Sequence, residues 1–118
     1  MSSYLEIMRI ISRKLEAHRG RARAVSGKEL AGLAGCSERE VREAVGHMVK
    51  VQKKPIGSHP SRGYFWIVDR DDMELATRHL KSRAVDLFER LAALNKMDIF
   101  KAAQLTLFEA QRRKDAEV

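Results

Sequence analysis

The sequence predicts a mainly α chain with one small β-hairpin and a C-terminal helical extension, and three patterns carry that reading. Serine is followed three residues later by glutamate at Ser3/Glu6, Ser26/Glu29 and Ser37/Glu40, each time just ahead of an apolar-periodic run. In this capping-box spacing each side chain satisfies a backbone N–H that a helix start leaves unpaired. "PIGSHPSRGYFWIV" (Pro55–Val68) places a polar, basic turn between two apolar runs, as a hairpin does. From Met73 a large apolar residue recurs every seventh position, at Leu80, Leu87 and Leu94, which is the spacing of a helical seam.

The elements follow in order. A first helix starts near Tyr4, with Leu5, Met8, Ile11 and Leu15 on one face and Tyr4 and Ile7 widening it. Gly20 is expected to end it, and "HRGRAR" (His18–Arg23) is a basic connection before a very short strand at Ala24 and Val25. The second helix carries Leu30, Ala31, Leu33 and Ala34, and Gly35 stops it because glycine accepts the left-handed conformation of a tight turn. The third holds Val41, Ala44, Val45 and Met48 at i, i+3, i+4 and i+7. Ile56 then begins a strand, Gly57–Gly63 turns, and Tyr64–Val68 returns. A strand period of two sends Tyr64, Trp66 and Val68 to one face and Phe65 and Ile67 to the other. One face is expected to cover the helices and the other to lie under later elements. From Asp71 to about Lys96 the pattern is helical again, with Asp69 or Asp71 as its cap and Asp72 and Glu74 suiting its positive end. A metal site of Asp69, Asp71 and Asp72 is the weaker alternative to capping. The seam either dimerises the protein or packs on the first helix, with packing within the chain slightly preferred. Three segments result: residues 1–69, 70–96 and 97–118.

The bulk numbers bound the function. At 118 residues and 44% apolar, the chain supports one modest core. It has no bilayer-length apolar run and no signal peptide, since Glu6 and Arg9 interrupt the first helix. A single cysteine, Cys36, excludes an internal disulfide and fits a cytoplasmic protein. The net charge of +7 is unevenly placed: residues 1–66 carry 13 Lys/Arg against 6 Asp/Glu, whereas residues 67–118 carry 10 of each. A basic half beside a neutral one points to a polyanion partner for the first half.

"GKELAGLAGCSEREVREAVG" (Gly27–Gly46) resembles the helix-turn-helix core of bacterial and phage DNA-binding proteins. Ala31 matches the small residue where the helices touch, Gly35 the turn glycine and Val41 the buried residue of the second helix. Cys36 stands where a small aliphatic residue is usual, and is expected in the core. The hairpin that follows resembles the wing of a winged helix-turn-helix, with His59, Ser61 and Arg62 at a tip free to touch nucleic acid. The resemblance implies that Ser37, Arg39, Arg42, Glu43 and Lys50 lie at a duplex, Arg39 and Arg42 reaching bases or phosphates and Gly46 permitting close approach. Glutamates balance arginines on that helix, so most phosphate contact is expected from Arg19, Arg21, Arg23, Lys50, Lys53, Lys54 and Arg62 around it.

Catalysis finds little support. His18, His47, His59 and His79 are scattered, and no phosphate loop, nucleophile elbow or paired-acid motif is present. No cofactor or metal is expected.

"QLTLF" (Gln104–Phe108) resembles the short peptide by which bacterial polymerases and their accessory proteins bind the DNA sliding clamp. That resemblance implies Gln104 as a polar anchor, Leu105 as a supporting contact, and Leu107 and Phe108 as pocket fillers. Thr106 departs mildly from the usual small polar or acidic residue. The competing reading is a terminal helix burying Ile99, Phe100, Ala103, Leu107 and Phe108. Together the resemblances imply a non-enzymatic DNA-binding adaptor that engages the bacterial sliding clamp in phage or plasmid replication. The alternatives are a dimeric winged-helix transcriptional regulator joined through Met73–Leu94, and a winged helix that binds only protein.

Overall fold

The computed structural model describes residues 3–117. Five α-helices and one hairpin follow each other: α1 (Tyr4–Ala17), a 3-10 turn (Arg21–Arg23), α2 (Gly27–Ala34), α3 (Glu38–Lys50), β1 (Ile56–His59), β2 (Gly63–Trp66), α4 (Arg70–Asn95) and α5 (Ile99–Glu117). The chain is thus mainly α with one antiparallel two-stranded hairpin, as its sequence predicts.

All three serine caps form. Ser3, Ser26 and Ser37 accept hydrogen bonds from the backbone N–H of Glu6, Glu29 and Glu40. The box closes in both directions only at α3, where Glu40 Oε1 accepts from Ser37 N–H at 3.1 Å. Glu29 turns instead to Lys14 of α1, at 3.5 Å. Gly35 sits left-handed at φ 65°, and three residues separate α2 from α3. α1 ends earlier than the glycine signal suggests. His18 donates from Nδ1 to Lys14 O at 3.0 Å and Arg19 donates from Nε to Glu16 O at 3.2 Å. These side chains cap the last carbonyls, so the helix is closed before Gly20.

Contacts divide the chain into two compact units, the first ending at Arg78 and the second beginning at His79. The core of the first unit comprises Ile7, Met8, Ile11 and Leu15 of α1, Val25, Leu30, Ala31 and Ala34, Val41, Ala44, Val45 and Met48 of α3, and Ile56. Leu5 departs from the expected face and is 70% exposed, as is Leu33 in large part. α1 spends its apolar side on α2, α3 and β2. The reason for laying the Met73–Leu94 seam over it therefore falls away.

The hairpin is tighter than predicted. Ile56 pairs with Trp66, Gly57 with Phe65, Ser58 with Tyr64 and His59 with Gly63, which leaves only Pro60–Arg62 to turn. Gly57 is in the strand because a Cβ there would lie 2.7 Å from the Ala76 Cβ and 2.9 Å from the Phe65 ring. Phe65 is fully buried on that face, while Tyr64 and Trp66 pack half-buried on the helical core. The expected pleat therefore holds for Tyr64–Trp66, with one face on the helices and the other under the start of α4. β2 stops at Trp66, and Val68, expected beside Tyr64 and Trp66, is exposed. In place of the short strand expected at Ala24 and Val25 there is a single bridge, Val25 exchanging hydrogen bonds with Tyr64 at 2.7 and 2.8 Å.

α4 begins one residue before Asp71, capped by Asp69, whose Oδ1 accepts from Asp72 N–H at 2.7 Å. Its first turns belong to the first unit, so compactness divides the chain inside the helix and not at residue 70. α4 ends at Asn95, and Lys96 just after it is left-handed at φ 53°. Asp98 then accepts from Lys101 N–H and starts α5. In the second unit, Ala92 and Ala102 are the buried apolar residues among those described.

Candidate nucleic-acid interface

The outward side of α3 presents Arg39, Arg42, Glu43 and Lys50 to solvent, with Gly46 between them facing open space. Arg39 Nε donates to Glu43 Oε1 at 3.2 Å, an exposed i,i+4 pair worth about 0.3–0.5 kcal/mol. Such a pair gives way easily to a phosphate or a base edge. Ser37 is engaged in its cap, so its hydroxyl holds the helix start.

The hairpin comes back against the beginning of α3. Burial pushes the Tyr64 hydroxyl up, with the Arg42 charge acting against this and Glu38 adding to it. The Gly27 backbone faces the same Tyr64 ring and the Glu38 carboxylate, each 3.5 Å from where a Cβ would stand. Tyr64 thus ties β2 to the N-terminal ends of α2 and α3.

At the tip, Arg62 and Ser61 are exposed. His59 and Ser61 are not free, however: His59 Nδ1 accepts from Ser61 N–H at 3.2 Å and lies 2.9 Å from its hydroxyl. The closed turn leaves Arg62 as the unengaged side chain of that trio. Beside it a shallow cleft of about 310 Å³ is lined by Arg62, Arg21, Ala22 and Ala24.

Arg21 corrects the expected phosphate set. Its guanidinium reaches Asp72 at 2.7 Å, Asp69 at 3.2 Å and Asp71 at 3.7 Å. The hydrogen bond to Asp72 holds Arg21 further in its charged form, against the opposing effect of burial, and the three carboxylate charges add to it. Asp72 is fully buried. Burial pushes its carboxyl up, but hydrogen bonds from Val68 N–H and from the Arg21 side chain and N–H outweigh this and hold it below the usual carboxylate range. A guanidinium surrounded by three carboxylates has little net charge to offer a phosphate, so Arg21 anchors α4. The same contacts account for the aspartate triplet without a metal.

Lys54 donates from Nζ to Ser12 Oγ at 3.0 Å, a neutral partner that leaves its charge unbalanced. Arg23, Arg42, Lys50, Lys53 and Arg62 remain exposed and outside any ion pair among the described residues. Lys53 stands left-handed at φ 59° just past α3, a place where glycine is the usual signal. No protein-family model, curated protein or solved structure matches the chain.

Cys36 packs half-buried against the core. Burial, with the nearby Glu40 charge, pushes its thiol up, which disfavours the reactive thiolate. No helix among the described residues is long and apolar enough to cross a membrane.

Gln104–Phe108 is neither an extended tail nor a buried strip. It lies within α5, with Leu107 and Phe108 each 62% exposed and Gln104 and Leu105 facing solvent as well. Thr106 donates to Ala102 O at 2.8 Å, and the Arg112 guanidinium stands 6.0 Å over the Phe108 ring. The competing expectation of a docked helix fails for Phe100, which is 83% exposed, and for Leu107 and Phe108. Ile99 and Ala103 are half-buried.

Proposed function

We propose that this chain is a non-enzymatic DNA-binding adaptor of winged helix-turn-helix type that offers its C-terminal helix to a bacterial sliding clamp. One arrangement carries the DNA reading. A capped helix pair with a left-handed glycine turn is flanked by a hairpin whose inner strand bridges Val25 and meets α3 through Tyr64. The outer side of α3 and the Arg62 tip are both exposed, as entry into a major groove beside a backbone contact requires. Arg42 and Arg39 are the base-reading candidates, Arg39 being held only weakly by Glu43. Arg23, Lys50, Lys53 and Arg62 supply sequence-independent phosphate contact.

The test is a mobility shift on duplex DNA across a salt series. Affinity should fall steeply with salt, because each neutralised phosphate releases counterion at a slope of about 0.9. Lys53→Ala with Arg62→Ala should weaken binding to every sequence alike, whereas Arg42→Ala should flatten any preference among sequences. No complex with any duplex at low salt would end the reading.

The clamp part rests on the QLTLF residues, whose exposure leaves Leu107 and Phe108 available for a pocket. A second reading, the dimeric regulator, is favoured by a different observation. The second unit buries alanines while Leu80, Val85, Leu87, Leu94 and Phe100 stand exposed, and so large an uncovered apolar surface marks an interaction face. The two readings are compatible, since the seam lies on α4 and the peptide on α5.

A further inference from the structure

A groove of about 290 Å³ runs between α1 and the junction of α3 with β1. Arg9 and Arg13 line it from α1, and Lys54 and Gln52 from the junction. Leu5 and Met8 give it an apolar margin. The left-handed turn at Lys53 sets the residues on either side of it, Gln52 and Lys54, into the groove while Lys53 itself faces solvent.

Every charged group in this lining is a cation. Arg9 and Arg13 stand at i and i+4, where like charges repel and destabilise a helix. Neither they nor Lys54 forms an ion pair with a carboxylate among the described residues. Lys54 instead donates to the buried Ser12 hydroxyl, and the Gln52 amide has only the Met8 sulfur, at 4.0 Å. Three cations and an amide donor with no anion between them lack a counter-charge that a ligand would supply. A carboxylate would balance one cation. A phosphate carries more charge, and its oxygens match the two-pronged guanidinium donors.

We infer that the Arg9–Arg13–Lys54 groove is a phosphate-binding site. The phosphate belongs either to the backbone of a duplex or to a free phosphorylated molecule. The site stands on its own lining and does not depend on the winged-helix reading.

Titration of the ¹⁵N-labelled full chain with inorganic pyrophosphate at constant ionic strength tests it. Saturable shifts should centre on the amides of residues 9–13 and 52–54. Arg9→Gln with Arg13→Gln should weaken the binding at least tenfold while the spectrum stays folded, since both side chains are exposed. Lys81→Gln with Arg83→Gln removes the same charge from exposed positions outside the groove and should leave it unchanged. Absence of saturable shifts at these amides, or equal affinity in both double variants, overturns the site. Duplex titrations then name the source. A salt slope shallower by about two in the Arg9/Arg13 variant assigns the groove to the DNA backbone. An unchanged slope alongside lost pyrophosphate binding assigns it to a free phosphorylated ligand. Failure of the duplex reading would show separately, as a wild type that takes pyrophosphate but no duplex.

Discussion

At the residue scale the most consequential side chain is Asp72, which the sequence offers only as one of three aspartates near a helix start. Its first-turn position was legible; its partner was not, because Arg21 lies 51 residues earlier and pairing at that separation leaves no periodic trace. Asp72→Ala would orphan the N–H groups of Val68 and Arg21, each costing about 1–3 kcal/mol when buried. Both sites are only partly enclosed, so a loss of about 2–3 kcal/mol is expected, read as a lower melting temperature. The pH dependence has a definite sign. The carboxyl of Asp72 is depressed on folding, so its contribution is fully present above the ordinary carboxylate value of about 3.9 and is lost as pH falls through the folded value. The melting difference between wild type and Asp72→Asn should therefore be constant near neutrality and shrink on acidification below about pH 4. A difference that grows in acid would show that the carboxylate is not the stabilising form. The same pairing is invisible in the sequence, where a basic residue in a basic loop is indistinguishable from a phosphate contact. Arg9 and Arg13 are illegible for the opposite reason. Their only sequence signal is the unrelieved i,i+4 repulsion, and its meaning depends on Lys54 arriving from another element.

At the scale of elements, whatever a local rule governs was readable. Capping serines placed α1, α2 and α3, and the period of two placed Phe65 opposite Tyr64 and Trp66. Helix ends were less so, since Lys53 and Lys96 take the left-handed position that glycine usually announces. For α5 the pattern left a peptide or a docked helix open, and the element is an exposed helix. Clamp peptides of the resembled kind bind partly extended, so binding requires α5 to unwind around Gln104–Phe108. That step gives up helical hydrogen bonds but little side-chain packing, because Leu107 and Phe108 stand exposed on the helix. Leu107 and Phe108 would each contribute roughly 1.5–3 kcal/mol when fully buried in a pocket, against about 8 kcal/mol for a micromolar contact. Replacing both with alanine should weaken clamp binding by at least about a hundredfold, measured by surface plasmon resonance. Helicity should hold or rise slightly, since alanine is the better helix former. Gln104→Ala should cost about one hydrogen bond, roughly tenfold. A double variant that melts lower while the wild type ignores clamp would instead place these side chains in a folded interface.

At the scale of the whole molecule, a seven-residue apolar spacing names a seam without naming what covers it. Within the chain that cover was expected from α1, whose apolar side is already occupied by α2, α3 and β2. Leu87 and Leu94 are exposed, the latter 82%, and a unit of this size that buries alanines has too little core to stand alone. A second copy supplies the same stripe in return, and the near balance of charge in residues 67–118, with 10 Lys/Arg and 10 Asp/Glu, sets up no strong repulsion between copies. Dimerisation would also present two α3 helices to one duplex, raising effective concentration at paired half-sites. Sedimentation over a concentration series should then show a monomer–dimer equilibrium for the wild type. Leu87→Glu places a charge in an apolar helix contact, where leaving it unpaired is costly, and should shift the protein to monomer throughout. Leu87 is exposed and belongs to the second unit, so the melting of the α1–α3 core and binding to a single half-site should persist. A wild type that stays monomeric at every concentration rules out the seam as a self-interface and leaves the stripe to a different protein.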